Sequence, residues 1–256
     1  MGAFTERPIF TAVIETLLRT RRSTHAGSQE TNSSFVLDGR TLPTQRPGGV
    51  KRVNVVEHPI AAHALTNLRS RQTAPEQFRT FSRQLLVLLA LEASRTLPTR
   101  DEAVETGAGT CPGRVLAKPV VLLSLSRHAL GLAHELASVI PDLVVGTISL
   151  GEGSNGQPFS PRLHLVNAPA LSDARVILFA PVVATGLSAS VALDLLRRSG
   201  AGEVTLLSFL VSAIGLERVQ GAWPELIVWT AAVDTEWDAK RGPRPGLGDF
   251  GERLYG

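Results

Sequence analysis

The sequence predicts an α/β fold with a mainly parallel central sheet and helices on both faces. Three observations carry this reading. From Val120 onward, short apolar runs alternate with helical patterns. The runs Val120–Leu123 and Val176–Val183 are apolar throughout and Val204–Leu210 is apolar apart from Thr205 and Ser208, rather than alternating, as expected of parallel strands buried on both faces. Finally, 256 residues with 43% hydrophobic content suffice for a large core.

Composition narrows the function classes. Charged residues make up 19% of the chain and the net charge is only +3, without the clustered Lys/Arg that nucleic-acid binding needs. The lone Cys111 excludes an internal disulfide and a Cys-rich zinc site, and reads as an incidental thiol. No apolar run reaches the length of a membrane span, and the first residues lack the succession of a secretory signal. A soluble, cytoplasmic protein with no nucleic-acid or membrane partner is expected.

Residues 1–52 read as an extension. Phe10, Val13, Ile14, Leu17 and Leu18 share one helical face, followed by Arg19, Arg21, Arg22 and a flexible linker rich in Ser, Gly and Pro. A partly ordered tail, a dimer arm and a partner-binding helix all fit this pattern. A targeting peptide fits it less well, because Glu6 and Glu15 are acidic.

The domain spans 53–256. Asn54–Val56 is extended, and Pro59 opens a helix with Ala62, Leu65 and Leu68 on one face. A long helix covers Thr73–Leu97, with Thr73 and Glu76 as a capping box and with Phe78, Phe81, Leu85, Leu88 and Leu89 buried. Gly107–Lys118 is a loop or weak hairpin. Strand Val120–Leu123, helix Leu130–Ile140 and strand Leu143–Leu150 follow. Gly151–Pro161 reads as a mobile loop, with Leu163–Val166 as its return strand. Strand Val204–Leu210, helix Leu216–Trp223 and strand Ile227–Ala232 complete the alternation, and the tail is too rich in Gly and Pro for regular structure.

Between these units lies Val176–Gly200. Its apolar run meets the turn Ala184-Thr185-Gly186-Leu187-Ser188, and a helical pattern with Val191, Leu193, Leu195 and Leu196 follows. Such a turn is either a plain strand-to-helix connection or an anion pocket built from the free N–H groups of the first helical turn. In parallel sheets, ligands sit at this carboxyl edge.

Five stretches, in order, carry a resemblance: VVEHPIAAHALTNLRSRQTAPEQFR, LLALEASRTLP, APVVATGLSAS, VWTAAVD and PGLGDFGERLYG. Together they resemble the uracil phosphoribosyltransferases, over Val53–Gly256. The resemblance implies a type I phosphoribosyltransferase fold with a mobile hood loop. It also implies the reaction of uracil with 5-phosphoribosyl diphosphate (PRPP), with Mg²⁺, to give UMP and diphosphate in pyrimidine salvage. A homodimer or higher homo-oligomer is expected on the same ground. Small molecules, a nucleobase with a phosphosugar or a nucleotide, are the implied partners.

Carried over residue by residue, the resemblance assigns Arg127, Ala184, Thr185, Gly186, Leu187, Ser188 and Asp249 to PRPP. It assigns Pro243, Gly248, Asp249 and Phe250 to uracil, which the family reads with main-chain groups. No catalytic residue and no protein-held metal site is named. The family's turn reads Asp-Pro-Met-Leu-Ala-Thr-Gly-Gly-Ser. Here Ala180 stands for the acid that holds the ribose hydroxyls, and Leu187 stands for the second glycine. His128-Ala129 replaces the Ala-Gly pair after Arg127, and Leu150–Ser154 offers no second phosphate-binding arginine. Asp234 reads as a structural hydrogen-bonding residue. Glu57, His58 and His63 read as structural or as part of a dimer interface. The expectation is a family homologue with reduced or lost activity. The alternatives are a non-catalytic nucleotide-binding regulator or assembly subunit, and a transferase redirected to another base.

Overall fold

The computed structural model describes residues 35–37, 40–42, 52–125, 127–152 and 159–256. The chain divides into two units, 1–53 and 54–256. In the first, β1 (Phe35–Leu37) and β2 (Arg40–Leu42) form an antiparallel ladder. The amphipathic helix read at Phe10–Leu18 lies outside the described residues.

The second unit is built on one eight-stranded sheet. Its strands are β3 (Val53–Val55), β6 (Val120–Ser124), β7 (Val144–Glu152), β8 (Phe159–His164), β9 (Arg175–Phe179), β10 (Val182–Val183), β11 (Val204–Ser212) and β12 (Ile227–Asp234). The order is β3-β12-β11-β9-β6-β7-β8, with β10 beside β11. The pairings from β12 through β11, β9 and β6 to β7 are parallel, and β8 returns antiparallel to β7. Two hairpins lie off this sheet: β4 (Thr99–Thr106) with β5 (Gly109–Leu116), and β13 (Glu236–Asp238) with β14 (Gly242–Arg244).

Helices cover both faces, as the apolar strands require. Val120, Leu122, Ile177, Phe179 and Leu207 face α1 (Pro59–Arg69), α2 (Pro75–Ser94), α3 (Arg127–Glu135) and α6 (Phe250–Tyr255). Their neighbours Val121, Leu123, Val176, Leu178 and Leu206 face α4 (Leu187–Arg198) and α5 (Ala213–Ala222). This alternation along each strand follows from the two-residue period of side chains.

Several expectations are corrected. Helix α2 starts at Pro75, its N-cap is Ala74, and no side chain caps it. Thr73 instead donates its hydroxyl to Asn67 O at 2.6 Å, so there is no capping box. Proline at the first position fixes φ for the helix and needs no donor, which sets the start. In α1 the buried residues are Ala61, Ala64 and Leu68, and Ala62 is exposed. The apolar arc is broad, and the face of small alanines is the one in contact with the core cluster. The tail is not irregular, since it contains β14 and α6. Strand β7 runs on to Glu152 and β8 begins at Phe159, which leaves only 153–158 of the expected hood loop, and these residues lie outside the described ones.

Candidate functional site

Strands β6, β9, β11 and β12 are parallel neighbours, so their carboxyl ends share one edge of the sheet. Ser124 lies opposite Phe179, Phe179 opposite Leu207, and Ser212 opposite Asp234. Each expected binding segment follows one of these strands.

After β9 the apolar run does not continue as one strand. Ala180 and Pro181 break it, β10 adds two residues, and Ala184-Thr185-Gly186 turns into α4. Gly186 is the N-cap of α4 with φ 72° and has no side chain to cap it, while Thr185 Oγ1 accepts from Leu187 N at 3.4 Å. Only glycine holds such a φ without strain, and here space demands it too. A Cβ on Gly186 would lie 2.6 Å from Gly215 O, and a Cβ on Gly215 would lie 2.5 Å from Ala184 O. The turn and the start of α5 therefore meet backbone to backbone. Leu187 and Ser188 are not turn residues but the first residues of α4, both half-buried. The first-turn N–H groups and the helix dipole make this end favourable for an anion.

Two side chains hold the turn from the α5 side. Ser212 Oγ donates to Ala184 O at 2.5 Å and accepts from Gly215 N at 2.9 Å. Arg218 Nη1 donates to Thr185 O at 2.6 Å. Sequence reading missed Ser212, Gly215 and Arg218. A Ser three residues before a Gly, at the end of a long apolar run, is an N-cap signal that could have found the first two.

Ala180 is 3% exposed and belongs to an apolar cluster with Val183 and Ala189. Its N–H donates to Leu207 O at 3.0 Å. Ala180 itself brings no carboxylate to the entry of the turn. Among the described residues, no group of three His, Cys, Asp or Glu is placed to hold a metal ion.

Arg127 opens α3 beyond β6; its side chain is outside the described atoms. The start of α3 meets the chain terminus. Tyr255 OH donates to His128 O at 2.9 Å, and the two rings lie 6.0 Å apart. A Cβ on Gly251 would touch the His128 ring at 3.0 Å. The fold thus brings the Arg127-His128 segment against the C-terminal loop.

In that loop, Asp234 accepts from Gly246 N at 2.7 Å and pairs with Arg69 at 2.7 Å. Arg253 donates to Leu68 O, to Leu247 O at 2.7 Å and to Ser70 O at 2.5 Å, and its guanidinium lies 4.3 Å from the centroid of the Phe78 ring. Burial lowers the Arg253 pKa, a direction that leaves a guanidinium charged. Gly246 and Gly248 have φ of 68° and 72° on either side of Leu247. Asp249 is exposed and caps α6, its Oδ1 accepting from Glu252 N at 2.9 Å. The Phe250 ring lies 5.5 Å from Phe78 and 5.8 Å from Phe209, so it is committed to the core and leaves only its main chain for a ligand. Pro243 sits in β14 opposite Trp237, with its carbonyl against Gly246. His58 caps α1 by accepting from Ile60 N at 3.1 Å, and His63 packs edge-on to Phe81 at 5.7 Å.

A family model described as uracil phosphoribosyltransferase matches residues 55–256. The chain belongs to the uracil phosphoribosyltransferase family. The uracil phosphoribosyltransferase of Thermus thermophilus is 34% identical over 207 residues, 80% of this chain and 99% of that protein. The enzymes so named from Caulobacter sp. (33% identical) and Thermosipho melanesiensis (30%) cover the same 80% of this chain and 98% of their own lengths. Among solved structures, the AQ2163 protein from Aquifex aeolicus aligns with a TM-score of 0.70 at 24% identity, over 79% of this chain and 97% of that one. The fold is the expected type I phosphoribosyltransferase α/β fold, in a divergent member of the family. No helix among the described residues is long and apolar enough to cross a membrane.

Proposed function

We propose that this protein is a uracil phosphoribosyltransferase homologue that binds a ribose phosphate in the turn after β9 and has reduced or lost transfer of uracil from PRPP. The observation that carries this reading is the split state of the turn. Its backbone keeps the glycine turn, with Gly186 at φ 72° as the N-cap of α4, whereas its entry residue is a buried alanine.

In this reading the N–H groups of Thr185, Gly186, Leu187 and Ser188 cradle the 5-phosphate, assisted by the α4 dipole. Arg127 meets the diphosphate. Main-chain groups of Pro243, Gly248, Asp249 and Phe250 read the uracil, and Asp249 also faces PRPP. Asp234 and Arg253 hold that loop in register. Brought in on the diphosphate of the substrate, Mg²⁺ would supply charge neutralisation to the leaving group. Ala180 gives neither metal nor ribose a carboxylate. One lost contact to a charged group costs about 1.5–3 kcal/mol. If it acts in the transition state, that is roughly a 10–100-fold loss in rate. Homodimeric assembly and a cytoplasmic setting belong to the same proposal.

The second reading, a nucleotide-binding regulator without turnover, is favoured by the same glycine turn. Incubation with labelled uracil, PRPP and Mg²⁺ tests the first reading. Turnover at least about tenfold below that of the Thermus thermophilus relative is expected, and turnover equal to it would sink the proposal. Without turnover, calorimetric binding of UMP supports the regulator.

A further inference from the structure

The geometry of the turn points to a positioning role for Arg218, with Ser212 beside it, that no motif of the turn itself includes; this rests on the turn being the ribose-phosphate site. Ser212 ends β11 and Arg218 lies in α5, 28 and 33 residues along the chain from the carbonyls they hold in the turn. Ser212 Oγ meets Ala184 O at 2.5 Å, and Arg218 Nη1 meets Thr185 O at 2.6 Å.

A trans peptide points its carbonyl and its N–H in opposite directions. The Ala184 carbonyl shares a peptide with Thr185 N–H, and the Thr185 carbonyl shares one with Gly186 N–H. Holding both carbonyls on the α5 side turns those two N–H groups to the other side, where a phosphate would lie. Arg218 also adds a positive charge behind the second peptide, which polarises Gly186 N–H toward an anion. The close approach of Gly186 and Gly215 sets this arrangement. The position of a Gly186 Cβ lies 3.2 Å from Arg218 Cβ, so the guanidinium is delivered by the packing of α5. Ser212 is fully buried and receives Gly215 N at 2.9 Å, so its hydroxyl is held in line. The clamp thus supplies charge and order to a turn whose entry residue, Ala180, brings no charge of its own.

The test uses the full-length protein and ribose 5-phosphate in isothermal titration calorimetry, at low and high KCl. Arg218→Ala is expected to weaken binding about tenfold with an unchanged Tm, and to flatten the salt dependence; Arg218→Lys should recover most of the loss. A merely structural arginine would lower Tm and leave the salt dependence alone. Wild-type affinity in Arg218→Ala would overturn the inference, as would a loss that follows Tm and that lysine does not repair. If Arg218→Ala does not fold, Ser212→Ala carries the test, with several-fold weaker binding expected and wild-type binding contradicting it. Failure of the wild type to bind ribose 5-phosphate at all would remove the reading of the turn itself, and this inference with it.

Discussion

Asp234 accepts from two distant parts of the chain at once: Arg69 Nη2 at 2.7 Å on Oδ1, and Gly246 N at 2.7 Å on Oδ2. One carboxylate at the end of β12 thereby ties the end of α1 to the loop assigned to the base. Arg69 also donates to Gly246 O at 3.3 Å, which closes the triangle.

Removing that carboxylate leaves a guanidinium and a buried N–H without their shared acceptor. Asp234→Ala should therefore cost about 3 kcal/mol. Urea denaturation reads this directly. A loss below about 1 kcal/mol would show that the triangle is incidental to stability.

Two glycines at opposite ends of α4, both at positive φ, separate strain from crowding. Gly200 has φ 84° with nothing within 4 Å of a Cβ, whereas Gly186 has φ 72° and backbone at 2.6 Å. Gly200→Ala should cost about 1–2 kcal/mol from φ alone. Gly186→Ala adds the backbone clash and should cost roughly 2–4 kcal/mol, together with the affinity for ribose 5-phosphate. Thermal denaturation and calorimetry of both variants check this; equal losses would contradict the packing argument.

Restoring the family acid is not a free change. Ala180 is 3% exposed among apolar side chains, so Ala180→Asp should lower stability by roughly 2–4 kcal/mol. Combined with Leu187→Gly it should nonetheless raise uracil transfer, measured as initial rate, if the turn limits activity. A stable double variant with no gain would move the deficit to the uracil loop or to the missing second arginine.

Asp238 titrates below the usual carboxylate range. The backbone N–H groups of Lys240 and Arg241 bond its ionised form, with smaller help from the charges of Arg244 and Arg241. A depressed folded pKa means stability present above the unfolded value and lost as pH falls through the folded one. The β13–β14 turn should therefore keep its structure at pH 4 and loosen only in stronger acid. Carboxyl carbon NMR of Asp238 against pH checks this; a midpoint above the ordinary aspartate value would contradict it.

Much of the fold was legible because buried parallel strands write continuous apolar runs. Val120–Leu123 and Val204–Leu210 fall within β6 and β11. What was not legible depends on the path of the chain between and beyond the periodic runs. The hydroxyl of Thr73 goes to Asn67 O six residues back, a bond of the connection between α1 and α2 that a helix-start signal does not show. The motif around Phe250 does not show that its ring packs in the core with Phe78 and Phe209. The strand-to-helix turn is legible in its own residues. The bond from Arg218 to Thr185 O is not, since it arises from α5 lying against Gly186.

The protein is proposed to keep a phosphate cradle in a site whose transfer chemistry is weakened. Calorimetric titration of the wild-type protein with ribose 5-phosphate, run beside the uracil transfer assay, tests this. Saturable one-site binding is expected, with transfer at least about tenfold below an intact relative. Absence of any ribose 5-phosphate binding, or transfer at the relative's full rate, would contradict it.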